Sequence, residues 1–141
     1  MNRKETGADT ANIADITLQW EEAKRNKMSA KLTHAIKFVA DMDAAVRFYR
    51  DTVGLTLKYE SPYWSEFSTG ETTLALHPTS DKNPAGSVNV GFGVPDLAMF
   101  HTELTAKSVV FTQEPELLHG TLLAEFLDSE GGRCSVSETR A

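Results

Sequence analysis

A chain of 141 residues, 40% hydrophobic and 24% charged, fits one globular domain with an ordinary core and leaves little room for a second. Its formal net charge of -6 and scattered basic residues argue against sequence-independent nucleic-acid binding, and no apolar run approaches the roughly 18 residues of a membrane span. The single cysteine, Cys134, excludes an internal disulfide framework and a multi-cysteine zinc cage, so a soluble protein of the reducing cytoplasm is expected.

Residues 1–30 form a polar extension without proline, and Arg3, Lys4, Glu5 and Asp9 deny it the apolar core of a secretory leader. Ile13, Ile16, Trp20 and Ala23, spaced by three, four and three, fall on one helical face. Thr10 or Asn12 is positioned to cap its start, with Asp15 near the positive end of the dipole. The expectation is a short amphipathic helix that docks on the domain or on a second subunit.

From Lys31 the period changes to two: Leu32, His34, Ile36 and Phe38 alternate as in a strand. Asp41 caps a helix whose Ala45, Phe48 and Tyr49 share a face, and Gly54 closes it. Leu55 to Glu60, Tyr63 to Ser68 and Thr72 to His77 follow as strands, the last two joined by a tight turn at Gly70 and Glu71. The unit reads βαβββ.

The same unit recurs. His34 to Asp41 lies over Asn89 to Asp96 at a constant offset of 55, aligning Val39 with Val94 and Asp41 with Asp96. Asp96 caps a second helix that carries Leu97, Phe100 and Leu104 on one face, after a proline that blocks backward extension. Glu66-Phe67 lies over Glu125-Phe126 at 59, and Thr73 to Thr79 over Arg133 to Thr139 at 60. Offsets that keep their order and drift by five residues indicate duplication, with module 1 at about 31–80, module 2 at about 86–139, and Asp81 to Ser87 as linker.

This arrangement resembles the vicinal oxygen chelate superfamily, also called the glyoxalase/bleomycin resistance/dioxygenase superfamily. The resemblance is carried by Thr33-His34-Ala35-Ile36 with Val39 and Asp41, by Phe48-Tyr49 to Gly54-Leu55, by Leu74-Ala75-Leu76-His77-Pro78, by Val94-Pro95-Asp96-Leu97, and by Asp128-Ser129-Glu130-Gly131. It implies an α+β fold of two βαβββ modules in tandem, forming an open barrel around a cleft, and commonly a homodimer. In the metal-dependent members, four strand positions supply the ligands. On this chain they carry His34, Ala75, Asn89 and Ser135, of which only His34 is a strong donor. His77, two residues beyond Ala75 on the same strand face, could join His34 and either Glu66 or Glu125 in a shifted site. Otherwise His77 closes the strand before Pro78.

Two functions follow from that resemblance. In the first, the cleft binds a small aromatic or cationic molecule without cofactor or firmly bound metal, lined by His34, Phe38, Trp64, Glu66, His77, Asn89, Phe92 and Ser135. The alternative is a metal-dependent lyase, isomerase or dioxygenase acting on vicinal oxygens through a divalent ion near His34 and His77. Strand alternation admits only one of Tyr63 and Trp64 to the cleft, and Trp64 beside Glu66 would suit a flat or cationic ligand. His101 is expected toward solvent, His119-Gly120 in a loop able to close the cavity, and Cys134 in the core. The sequence has neither a Ser-His-Asp spacing nor a nucleotide fingerprint.

Overall fold

Period-two segments become strands, and turn residues between them set where each one stops. A computed structural model of the chain describes residues 2–139, with side chains described from Ile13 onward. In chain order the elements are α1 (Asn2–Met28), β1 (Lys31–Val39), α2 (Met42–Arg47), a π-helical turn (Phe48–Thr52), β2 (Thr56–Tyr59), β3 (Ser65–Thr69) and β4 (Thr72–Pro78). The second module supplies β5 (Val88–Val94), α3 (Leu97–Ala106), β6 (Phe111–Leu118), β7 (Thr121–Leu127) and β8 (Arg133–Glu138).

All eight strands join one mixed, unclosed sheet in the order β2-β3-β4-β1-β5-β8-β7-β6. At its centre β1 and β5 run antiparallel, each flanked by the last strand of its own module in parallel. The registers repeat with the offsets read from the sequence. Ala35 opposite Leu74 becomes Val90 opposite Cys134, and Ile36 opposite Ala75 becomes Gly91 opposite Ser135. Likewise Glu66 opposite Ala75 becomes Glu125 opposite Ser135. The two modules are therefore related by a pseudo-twofold axis through the β1–β5 seam.

Helix starts obey the same symmetry. Asp41 and Asp96 both hold extended backbone, and each carboxylate accepts from the amide three residues on: Ala44 at 3.0 Å and Met99 at 2.9 Å. Such caps contribute about 1 kcal/mol each. The first helix departs from expectation after Arg47, where wide i to i+5 bonds take over and Val53 N–H donates to Phe48 O. Val46 is the buried residue, packed with Phe67 and Leu76, and the helix face runs through Met42, Ala45, Val46 and Tyr49, which leaves Phe48 exposed. In module 2, Leu97 and Phe100 are buried and Leu104 packs beside them, as the spacing implied. His101 is half-buried against Phe111, ring centroids 4.6 Å apart, rather than solvent-facing.

Each module thus builds a core between its helix and one face of the sheet. The opposite face is left to form the cleft. The extension is helical over 27 residues, about 40 Å, longer than the short helix expected. Thr10 and Asn12 fall inside its span, and their side chains lie outside the described residues. Its end is anchored by Met28 on the second core and by Lys24 Nζ, 3.0 Å from Glu103 Oε1, while Ile13, Ile16 and Trp20 remain exposed. Among the described residues no helix is long and apolar enough to cross a membrane.

Candidate functional site

Alternation along β1 sends His34 and Ile36 to the face away from the helices. Register then brings their neighbours with them: Gly91 on β5 and Ser135 on β8 lie in the His34 row, while Ala75 and Glu66 lie in the Ile36 row. The result is a cleft of about 600 Å³ walled by both modules. Module 1 contributes Thr33, His34, Ile36, Tyr63, Trp64, Glu66 and His77. From module 2 come Gly91, Ser135, Ser137 and the β6–β7 hairpin with Leu118, His119, Thr121 and Leu123.

Of the residues expected to line it, His34, Trp64, Glu66, His77 and Ser135 do so. Phe38 does not: it is buried at the far end of β1, with its ring 5.3 Å from that of His77. Asn89 also stays out, its side-chain amide donating to Asn83 Oδ1 in the linker at 3.4 Å. Phe92 borders the cleft, but its ring belongs to the helix-side core and stacks on Phe126 at 6.3 Å. The physical reason is alternation, since Gly91 points inward and the next residue must point out.

Several contributors escaped the sequence reading. Tyr63 and Trp64 both line the cleft, because β3 begins only at Ser65 and the two aromatics sit in a bend where strand alternation does not apply. Ser61 fixes that bend, its hydroxyl accepting from the Tyr63 and Trp64 amides at 3.2 and 3.0 Å and donating to Trp64 O at 2.9 Å. The hydrophobic walls Leu118 and Leu123 arrive through the length of the β6–β7 hairpin. Its tip turns through His119 (φ 50) and Gly120 (φ 80), which places His119 at the rim. Gly91 keeps the floor open, for a Cβ there would stand 3.0 Å from Ser135 Oγ and 3.2 Å from His34 Cβ.

Polar chemistry centres on Glu66. The Trp64 indole N–H donates to its Oε2 at 2.6 Å, a charge-assisted bond, and Lys58 Nζ approaches Oε1 at 3.8 Å. His34 Nε2 stands 4.0 Å from the same Oε2, too far for a hydrogen bond. The Thr33 hydroxyl donates to Gly91 O at 3.1 Å, so it accepts from His34 Nδ1–H at 2.9 Å, and this network assigns the tautomer with a lone pair on Nε2. Burial lowers the His34 pKa below its ordinary 6.5, against an upward pull from Glu66 and with a smaller downward push from Lys58. The imidazole is neutral at pH 7, and its basic nitrogen faces the cleft.

The donors do not fit a firmly held divalent ion. Ala75 offers only a methyl group, Asn89 is engaged with the linker, and Ser135 is a neutral hydroxyl. Nor is a shifted site assembled. His77 donates from Nδ1 to Pro78 O at 2.7 Å, as the reading of it as a strand-closing residue implied, and Glu125 Oε1 accepts from Thr112 at 2.7 Å outside the cleft. Among the described residues no group of three His, Cys, Asp or Glu is placed to share an ion.

Comparison with known proteins follows the same outline. No curated protein sequence matches the chain. The hypothetical protein BH1468 from Bacillus halodurans C-125 is similar in structure, with TM-score 0.70 and 18% identity over 80% of this chain and 96% of that one. Methylmalonyl-CoA epimerase from Mycobacterium tuberculosis gives 0.67 and 17%, over 78% and 88%. A glyoxalase/bleomycin resistance protein/dioxygenase superfamily member from Vibrio splendidus 12B01 gives 0.56 and 16%, over 78% and 98%. At such identities the likeness concerns the fold. Residues 31–133 match the model of the Glyoxalase/Bleomycin resistance protein/Dioxygenase superfamily, and the chain belongs to that superfamily.

Proposed function

We propose that this protein binds a small aromatic molecule in the cleft between its modules, without a firmly bound metal ion. One observation carries the reading: of the four wall positions that hold metal in the metal-dependent members, only His34 presents a strong donor to the cleft. What the walls do present is a ligand pocket of ordinary size, with Trp64 and Tyr63 on one side, Leu118 and Leu123 on the other, and a few polar groups to orient the guest. The test is calorimetry against a panel of aromatic compounds before and after chelation, with elemental analysis of the same sample. Binding that survives chelation and weakens at least about tenfold in Trp64→Ala is expected. Affinity that vanishes with the metal and returns on adding nickel, zinc, manganese or iron would reject the proposal.

A further inference from the structure

We infer that the guest is an arylalkylamine in its ammonium form, whose nitrogen bridges His34 Nε2 and Glu66 Oε2. The inference rests on the cleft being a binding site and specifies the chemistry that it selects.

Two acceptors face each other across 4.0 Å with no proton assigned between them. Both are already oriented: Thr33 fixes the imidazole through Nδ1, and the Trp64 indole fixes the carboxylate through one lone pair of Oε2. A nitrogen about 2.9 Å from both atoms would see them at about 90°, near enough to the divergence of two N–H bonds on a tetrahedral ammonium. A hydroxyl has one proton and can satisfy only one of the pair. A carboxylate has none and would face two acceptors.

Charge selects in the same direction. Glu66 is the one carboxylate among the described cleft-lining residues, and neither Lys nor Arg is among them. Lys58 reaches Glu66 from the β2 edge, on the other oxygen and with its own side chain 58% exposed, so water screens it more than the cleft screens a guest. A cation held at Oε2 therefore meets net negative potential. The aromatic half of the ligand is argued from the rings around that point. His34 lies 6.0 Å and His77 6.1 Å from Trp64 between centroids, and Tyr63 extends the same wall.

The test is calorimetry at pH 7 on chelated protein with three probes of one shape: 2-phenylethylamine, 2-phenylethanol and 3-phenylpropanoate. The amine should bind at least about tenfold more tightly than the alcohol, with the carboxylate weakest. Glu66→Gln keeps an acceptor for Trp64 but removes the charge. It should abolish the preference for amine while leaving the alcohol within about twofold. Should that variant fail to fold by circular dichroism, His34→Leu removes the other acceptor and should reduce the same preference. Equal affinities, or preference for the carboxylate, would overturn the amine assignment and leave a small-molecule site standing. Failure of all three probes to bind overturns the assignment too, and the broader reading is then decided by the larger panel.

Discussion

The bond from Trp64 to Glu66 is the mechanical centre of the site, and a double-mutant cycle measures it. Hydrogen bonds to charged groups contribute about 1.5–3 kcal/mol. Here the carboxylate side chain is 21% exposed and also sees Lys58, so the pairwise coupling should sit near the lower end, about 1–2 kcal/mol. Trp64→Phe removes the N–H and keeps an aromatic ring. Glu66→Ala removes the acceptor, which Gln would not. Urea denaturation at pH 7 of the parent, both single variants and the double variant yields the coupling directly. Trp64→Phe alone should lower the melting temperature by roughly 3–5 °C for each kcal/mol lost. A coupling within about 0.3 kcal/mol of zero would mean that the indole does not hold the carboxylate, and the oriented acceptor pair would lose its support.

Asp41→Ala and Asp96→Ala should each cost about 1 kcal/mol in the same assay, since both carboxylates cap helix starts in the same way; a loss at one site only would contradict the equivalence of the modules. For His34 the sign follows from its lowered pKa. Above 6.5 both folded and unfolded states hold the ring neutral, and as pH falls below that value the unfolded chain takes up the proton first, so stability declines until the folded pKa is passed. His34→Gln should flatten that part of the stability profile, and superimposable profiles would refute it. Cys134 is buried, and its thiol is pushed up by burial and then by Asp128 and Glu125. A colorimetric disulfide reagent at pH 8 should therefore react at the rate of unfolding and not at that of an exposed thiol.

How much of this was legible beforehand depended on whether a feature was periodic. The offsets of 55, 59 and 60 reappear as strand register because pairing in a duplicated sheet preserves spacing along each strand. Deviations arose where the period breaks. The π-helical turn widens the end of the first module's helix, while the buried face before it runs through Met42, Ala45 and Val46 and leaves Phe48 exposed. Tyr63 and Trp64 lie in a bend fixed by one serine hydroxyl, which carries no pattern signal. Phe92 borders the cleft, but alternation from Gly91 turns its ring toward the helix-side core. The loss of donors at Ala75 and Ser135 could be read directly, whereas the engagement of Asn89 by the linker needed coordinates. Leu118 and Leu123 reach the cleft through the span of a hairpin, and span is a three-dimensional quantity.

The seam between β1 and β5 makes the molecule divisible. Only the segment between Pro78 and Val88 links the modules covalently, and it is tied down at both ends and the middle: Thr79 N–H donates to Val39 O at 3.2 Å, Gly86 N–H to Phe38 O at 2.9 Å, and Arg133 Nη2 to Lys82 O at 3.0 Å. A nick there leaves both helix-backed cores whole and an edge of ladder bonds on each piece. Two separately produced halves should find one another and rebuild the cavity, a ready route to a split sensor whose signal appears on reassembly.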